Sequence, residues 1–269
     1  MDAVTDIKRN VAKIDLRRVF CVADRSARAK QALKLAASRY DFAKSADDAD
    51  AILALGGDGF MLDVLHGYLD KRLPIYGMNC GTVGFLMNSY RINKLDEAIR
   101  LSEPVTLFPL KMRATNGKGE TREALAVNEV SLLRETRQAA NLRVSVDGCV
   151  RVPELVGDGA LVCTPAGSTA YNFSANGPII PLGSGMLGLT PLNPFRPRRW
   201  SGALLSDKAR IDVEVIDPAK RPVSAVADFT EVRDVTRVRV FSDSSSPFTL
   251  LFDKGHSLEE RILNEQFLN

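Results

Sequence analysis

The sequence predicts a protein of two domains, in which an α/β domain precedes a mostly-β domain. Two observations lead to this prediction. Residues 18–101 alternate between short apolar runs and segments with helical periodicity, whereas from about residue 104 apolar and polar residues alternate one by one. The first pattern is typical of βαβ units and the second of half-buried antiparallel strands. A chain of 269 residues is long enough to bury a core in each domain.

In the first domain, three apolar runs predict buried strands at 18–23, 51–55 and 73–79. Ser26 is placed to cap a helix after the first of these strands. A second helix is expected to begin at Phe60, directly after a glycine-rich turn. Because strands separated by helices imply a parallel sheet with right-handed crossovers, we expect a Rossmann-like domain over residues 1–101.

In the second domain, β-branched and other apolar residues alternate with polar ones at 142–146, 211–215 and 236–240. Asn-Gly, Asp-Gly and Asp-Pro turn signals separate the runs. We therefore expect an all-β domain of two packed sheets over residues 102–254. The remaining segment, 255–269, contains a helical pattern and is expected to dock back on the first domain.

Neither nucleic acid nor a membrane is expected as a partner. The 36 basic and 33 acidic residues are spread along the chain, and the net charge of +3 creates no broad basic field. A local excess at Arg196, Arg198 and Arg199 stands among prolines, where a solvated loop is expected. No apolar run approaches the length of a membrane span.

The cysteines and the start of the chain predict a cytoplasmic protein. The four cysteines are far apart and form no CxxC pair, which favours free thiols in a reducing compartment. Cys21 and Cys163 lie within apolar runs. The first residues lack the apolar core of a signal peptide.

The strongest local signal is LGGDGF at 55–60, between a predicted strand and a predicted helix. Gly56, Gly57 and Gly59 allow a turn whose backbone N–H groups can approach a phosphate, and the helix N-terminus adds a positive dipole end. Asp58 has two interpretations of similar weight: it caps the helix, or it acts in the chemistry. Its position at the carboxyl end of a parallel strand favours a function, because ligands bind there in open α/β sheets.

Two further stretches are informative only in combination. Asn79, Gly81 and Gly84 follow the next strand and would form the second wall of a nucleotide site. Asn128 and Glu129 interrupt an apolar strand pattern at 127–132. Taken alone, this pair is more simply a surface bulge than a hydroxyl-binding site, because charges are seldom buried.

A longer polar loop lies within GDGALVCTPAGSTAYNFSANGPI, residues 157–179. The stretch has Asp158 near its start and continues with an apolar strand. The polar loop follows this strand and contains hydroxyl groups, glycines and Tyr171. Hydroxyls and loop amides can hold an adenine and a ribose, while the tyrosine ring offers a stacking face.

These four motifs, in this order, resemble the signature set of bacterial NAD kinases over roughly residues 18 to 255. The resemblance implies an N-terminal α/β domain, a β-sandwich-like C-terminal domain, and transfer of the γ-phosphoryl of ATP or polyphosphate to the 2′-hydroxyl of the adenosine ribose of NAD. It implies that Asp58 is the proton acceptor. The implied substrate-binding residues are Gly59, Asn128, Glu129, Asp158, Ala166, Thr169, Ala170, Tyr171, Asn172, Phe173 and Ser174.

The phosphates of ATP are expected to bind at Gly56, Gly57 and Gly59 through the turn described above, together with a divalent metal, Mg²⁺, carried with ATP. No carboxylate cluster in the sequence suggests a dedicated metal site. The family forms homodimers and homotetramers, so we expect one of these states. Three positions depart from the family pattern: Phe60 replaces Thr or Ser, Ala166 replaces Thr, and Asn176 replaces Gly.

Several alternatives remain weaker. Gly183, Gly185 and Gly188 match G-x-G-x-x-G, but the surrounding prolines forbid the helix that a dinucleotide fingerprint requires, so a loop is expected. No G-x-S-x-G elbow and no zinc-ligand spacing are present. A lipid kinase or phosphofructokinase would share G-G-D-G but not the 164–174 loop. A non-catalytic NAD-binding regulator would not need Asp58.

Overall fold

The computed structural model describes residues 14–81 and 84–255. The α-helices in these residues are α1 (Ala27–Ala37), α2 (Asp58–Tyr68), α3 (Leu95–Leu101) and α4 (Tyr171–Ser174). The strands are β1 (Val19–Ala23), β2 (Ala51–Gly56), β3 (Ile75–Asn79), β4 (Glu103–Leu107), β5 (Leu110–Asn116), β6 (Thr121–Ala126), β7 (Glu129–Arg134), β8 (Ala140–Val146), β9 (Cys149–Gly157), β10 (Gly159–Cys163), β11 (Met186–Leu192), β12 (Ala203–Ser206), β13 (Ile211–Val215), β14 (Val223–Ala227), β15 (Thr230–Val232), β16 (Val235–Ser242) and β17 (Phe248–Phe252).

The chain forms two compact units. The described residues up to Leu107 and those from Ser246 onward form the first unit, and Phe108–Ser245 form the second. The second unit is therefore an insertion in the sequence of the first.

The first unit is built on a five-stranded sheet in the order β1-β2-β3-β17-β4. Neighbours from β1 to β17 are parallel, and only β4 runs antiparallel to its neighbour. Helices cover both faces. Buried residues of α1 and α3 join Tyr76 and Met78 in one apolar cluster. Gly77 stands between them in β3, so a side chain at this position would point to the opposite face of the sheet. A Cβ there would overlap Met61 of α2.

This unit confirms the predicted α/β class and the three predicted strands. Ser26 caps α1 as expected, since its side chain accepts a hydrogen bond from the Ala29 amide. The α2 helix begins at Asp58, two residues before the predicted start.

The predicted domain limits differ from the structure at both ends of the β domain. We expected the α/β domain to end at residue 101, but β4 belongs to its sheet, and so does β17, which had been assigned to the β domain. The physical reason is that β17 pairs between β3 and β4, a long-range contact that local periodicity does not report. The segment expected to dock on the first domain lies outside the described residues after Gly255.

The second unit contains two six-stranded antiparallel sheets. Their strand orders are β12-β11-β10-β7-β14-β15 and β6-β5-β16-β13-β8-β9. One buried apolar cluster draws residues from both sheets, so their inner faces form a shared core. The alternation that predicted β8 and β13 is confirmed, because Leu142, Val144, Ile211 and Val213 are all completely buried.

The glycine pattern at 183–188 forms no helix. Gly183 and Gly185 lie in a turn with positive φ, as the predicted loop required. The loop prediction is wrong for Gly188, which lies in β11 beside β10. A Cβ at that position would lie 2.7 Å from Sγ of Cys163, so close strand packing explains the glycine.

Candidate active site

The glycine turn at the end of β2 presents Asp58 as the first residue of α2. The N-cap position is occupied by Gly57, so Asp58 does not occupy the capping position that we considered from the sequence. Its Oδ2 accepts a hydrogen bond from the Phe85 amide at 2.7 Å, and its Oδ1 accepts one from the Leu86 amide at 3.0 Å. The loop after β3 therefore orients this carboxylate.

The predicted second wall lies beside this turn. Gly56 and Asn79 are partners in the parallel β2–β3 register, and the Cys80 amide donates to the Gly56 carbonyl at 2.7 Å. A Cβ at Gly84 would lie 3.2 Å from Oδ1 of Asp58, so a small residue is needed there. The carboxyl ends of the two strands thus converge on Asp58, as predicted.

Asn88, which the sequence analysis did not identify, anchors the loop that holds Asp58. It is completely buried, and its side-chain amide donates to the carbonyls of Gly77 and Leu251 at 3.0 and 2.8 Å. Its Oδ1 accepts from the Asp253 amide at 2.8 Å. One side chain therefore joins β3, the loop and the end of β17.

In the second unit, Asn128 and Glu129 stand where the chain enters β7. Within the described residues, Oδ1 of Asn128 and Oε2 of Glu129 are among the buried oxygens that lack a hydrogen-bond partner. Burial raises the pKa of Glu129 to about 7, and the neighbouring Asp228 carboxylate adds to this effect. The surface-bulge interpretation is therefore wrong, because a surface pair would have solvated oxygens.

The 164–174 loop lies directly against this pair. Thr164 Oγ1 donates to the Val127 carbonyl at 2.7 Å and accepts from the Gly167 amide at 3.0 Å. The Thr164 amide also donates to the Asn128 carbonyl at 2.9 Å. A Cβ at Gly167 would overlap the backbone of Asn128, so only glycine allows this approach.

The predicted residues of this loop divide into buried and exposed groups. Ala166 and Asn172 are buried, and the Asn172 side chain donates to the Ser168 and Pro178 carbonyls and accepts from the Thr190 hydroxyl. Tyr171 and Phe173 are partly exposed. Asn172 thus holds the loop together, while the aromatic rings reach its surface.

A cavity of about 560 Å³ lies beside the loop in the second unit. Among the predicted residues, Asp158, Tyr171 and Ser174 line it, whereas Asn128, Glu129 and Thr169 do not. Hydrogen bonds from the side-chain NH₂ of Asn193 at 2.8 Å and from the Arg134 guanidinium at 2.5 Å lower the pKa of Asp158. Arg134 and Asn193 also line the cavity and were not found from the sequence, because their partners are distant along the chain.

Two of the three departures from the family pattern have a local explanation. Asn176 has a φ of +59°, a conformation in which glycine is usual and asparagine is the best tolerated replacement. The Phe60 ring packs on Gly56, where a Cβ would lie 2.6 Å from it. Nothing in the structure explains alanine at position 166.

Other findings concern the cysteines, the 196–199 loop, the helices and the metal-ligating side chain types of the described chain. All four cysteines are unpaired. The arginines of the 196–199 loop are exposed, and Arg198 stacks on Phe195. Of the helices that the structure describes, none is both long and apolar enough to cross a bilayer. The described residues contain no group of three or more His, Cys, Asp or Glu side chains arranged to hold a metal ion.

Comparison with known proteins gives a consistent result across the chain. Residues 7–102 match the model of the ATP-NAD kinase N-terminal domain, and residues 127–250 match that of the ATP-NAD kinase C-terminal domain. The NAD kinase of Hyphomonas neptunium is 56% identical over 223 residues, covering 83% of this chain and 88% of that protein. The NAD kinase of Cereibacter sphaeroides is 54% identical over 251 residues, covering 93% and 98%.

Two solved structures share the fold. The yeast NADH kinase complexed with NADH superposes with a TM-score of 0.77 at 18% identity, covering 94% of this chain and 88% of that one. An NAD kinase from Archaeoglobus fulgidus in complex with ATP superposes with a TM-score of 0.74 at 24% identity, covering 92% and 98%. The order of the motifs, the two matched domains and the identity to bacterial relatives together show that this chain belongs to the NAD kinase family.

Proposed function

We propose that Asp58 is the proton acceptor in the phosphorylation of NAD by this enzyme. The reaction transfers the γ-phosphoryl group of ATP to the 2′-hydroxyl of the adenosine ribose and gives NADP. Two backbone amides orient the Asp58 carboxylate at the N-terminus of α2. A base must hold a defined direction toward the proton that it removes, and this arrangement supplies it.

In the proposed step, the ribose 2′-oxygen attacks the γ-phosphorus as its proton moves to Asp58. The new bond joins the 2′-oxygen to phosphorus, and the bond between that phosphorus and the β,γ-bridging oxygen breaks, leaving ADP. Catalysis of this kind depends mainly on positioning and charge neutralisation. Gly56, Gly57 and Gly59 would bring backbone N–H groups to the phosphates, since the positions of Gly57 and Gly59 are open on the side where a Cβ would stand.

The observation that supports NAD binding most directly is the pair of orphaned oxygens on Asn128 and Glu129. Buried acceptors without donors are costly, and a ribose offers hydroxyl donors of the required kind. The cavity lined by Asp158, Tyr171 and Ser174 would take another part of the dinucleotide. The remaining proposed contacts, Thr169, Ala170 and Phe173, lie on the loop between these places, while Ala166 and Asn172 shape it from within.

A divalent cation, Mg²⁺, is proposed to arrive with the phosphates of ATP. The described residues hold no cluster that would bind it by themselves, and Mg²⁺ in phosphoryl-transfer sites is usually held largely by the substrate phosphates. When bound, the cation would neutralise charge on the transferred group.

The decisive experiment measures NADP formation from NAD and Mg-ATP by the wild type, Asp58→Asn and Asp63→Asn. Asp63 is an exposed aspartate on the same helix and serves as the matched control. We expect Asp58→Asn to retain NAD binding and to lose about a hundredfold or more in turnover, as general-base removal does. Turnover of Asp58→Asn within about threefold of the control would refute the assignment.

The phosphoryl donor, the oligomeric state and the cellular compartment of the enzyme are the remaining parts of the proposal. ATP is the proposed donor, and replacing it with polyphosphate in the same assay tests the alternative. A homodimer or homotetramer is proposed from family membership, and light scattering measures it. The unpaired cysteines support a reducing cytoplasm.

A further inference from the structure

The turn between β14 and β15 places Asp228 against the start of β7, about a hundred residues away in sequence. Asp228 Oδ2 accepts a hydrogen bond from the Val127 amide at 2.6 Å. Its Oδ1 accepts from the amides of Asn128 and Glu129 at 3.0 and 3.2 Å. The Asp228 amide in turn donates to the Glu129 carbonyl at 3.1 Å. Three consecutive amides thus converge on one carboxylate.

We propose that Asp228 is a positioning residue for NAD, because it holds the backbone of 127–129 so that the Asn128 and Glu129 side chains face the ribose. This inference rests on the proposed function, which makes those two side chains ribose acceptors. Asp228 itself is not assigned a contact with substrate.

The chemistry of the contact requires a carboxylate rather than an amide. A carboxylate offers acceptor sites on both oxygens, whereas an asparagine offers one oxygen and places an NH₂ group where the other stood. In an Asp228→Asn variant, at least one of the three backbone N–H groups would face a donor. Asp228 also has a φ of +50°, which short polar side chains tolerate best.

The opposite side of the same segment is held by neutral groups. Thr164 binds the carbonyls of Val127 and Asn128 through its hydroxyl and its amide. Within the part of the chain that the structure describes, Asp228 therefore supplies the charged hydrogen bonds to the backbone of these three residues. Charged hydrogen bonds are the stronger class, so this side should determine the position of the segment.

Asp228 also influences the ionisation of Glu129. The groups that face Glu129 are Asp228 in the β14–β15 turn, Cys163 on the paired strand β10, and Tyr171 on α4. Of these, Asp228 is the one whose negative charge raises the pKa of Glu129, in addition to burial. Removal of that charge should lower the pKa of Glu129.

The test compares Asp228→Asn with Asp147→Asn. Asp147, in the β8–β9 turn, is a matched control: it also has a left-handed backbone, at φ +51°, and its Oδ1 accepts one hydrogen bond, from the Arg210 amide. We expect Asp228→Asn to raise the KM for NAD about tenfold at pH 8, the effect of losing one charged hydrogen bond. We expect kcat to change less than about threefold, because the NAD contacts act in the ground state and the transition state alike.

The pH profile separates positioning from a general loss of structure. If Glu129 binds ribose in its ionised form, kcat/KM for NAD falls as the pH drops below about 7 in the wild type. In Asp228→Asn this acid limb should move to lower pH, since the like charge is gone. An unmoved limb, or an NAD KM equal to that of Asp147→Asn, would overturn the inference.

Two further measurements keep the outcomes distinct. Glu129→Gln should remove the fall in kcat/KM for NAD near pH 7. If that variant shows a normal KM for NAD and keeps this fall, the ribose role of Glu129 is wrong and the inference falls with it. If Glu129→Gln behaves as expected but Asp228→Asn has the same KM for NAD and the same pH profile as Asp147→Asn, the inference about Asp228 is wrong and the proposed function stands. Should Asp228→Asn fail to fold, hydrogen exchange on the wild type decides: the amides of 127–129 should exchange on the order of a hundredfold more slowly than in a free peptide, and free-peptide rates would overturn the proposal.

Discussion

Replacing Glu129 by glutamine should make the second unit more stable at alkaline pH. In the folded chain the pKa of Glu129 is raised from an ordinary 4.5 to about 7, first by burial and then by Asp228. Between these two values the folded protein keeps a proton that the unfolded chain has lost. Stability is therefore greatest at low pH and falls as the pH rises through about 7.

The size of the effect follows from the same values. Each unit of pKa corresponds to about 1.4 kcal/mol, so the rise from 4.5 to about 7 corresponds to roughly 3 kcal/mol of stability lost as the pH increases from about 4.5 to about 7. Glutamine has the shape of the protonated side chain and never ionises. Wild type and Glu129→Gln should thus be about equally stable near pH 4.5, and the variant should be more stable by up to roughly 3 kcal/mol at about pH 8.5.

Trp200 provides the assay, since it is the only tryptophan in the chain and packs against the core of the second unit. Urea unfolding followed by its fluorescence at several pH values gives the free energy of unfolding for this unit. Glu231→Gln, an exposed glutamate on β15, is the control and should track the wild type. If the free energy of unfolding has the same pH dependence in wild type and Glu129→Gln from about pH 5 to 8.5, the reasoning is refuted.

Three other substitutions test the packing around the site. Gly167→Ala should destabilise the second unit by about 2 kcal/mol and raise the KM for NAD, because the new Cβ overlaps the Asn128 backbone; urea unfolding and steady-state kinetics measure both. Gly59 lies in α2 with open space where a Cβ would stand, so Gly59→Ala should increase the free energy of unfolding measured by calorimetry by about 1 kcal/mol. Its turnover should fall, because the added methyl group would obstruct the approach of the phosphates to the backbone. Asn172→Ala removes three hydrogen bonds of a buried side chain and should cost about 3 kcal/mol in the Trp200 unfolding assay.

Local sequence patterns predicted most of the elements around the site. The strands β1 to β3 and the helices between them follow from apolar runs and helical spacing, which act over a few residues. The position of Asp58 at the end of β2 follows from the same local order. Asn128 and Glu129 were visible because polar residues broke an apolar pattern, although the pattern alone favoured the surface.

The parts that sequence analysis missed depend on contacts between distant residues. Asp228 acts on amides 99 to 101 residues away, and Asn88 binds a carbonyl 163 residues away. Neither residue stands in a recognisable motif, and their roles arise only when the sheets form. The place of β17 was missed for the same reason, since nothing in its own sequence distinguishes a parallel partner of β3 from another antiparallel strand.

The late position of β17 in the sequence has a consequence for synthesis of the protein on the ribosome. When the first 107 residues have emerged, β3 and β4 are available, but the strand that separates them is encoded at 248–252. The nascent α/β sheet must therefore wait, with an unpaired edge on β3, until almost the whole chain has been translated. The β unit carries all its strands in one uninterrupted segment and can complete its sheets earlier. A ribosome that stalls or terminates before residue 248 would thus release a chain with a complete β unit and an open, aggregation-prone α/β sheet.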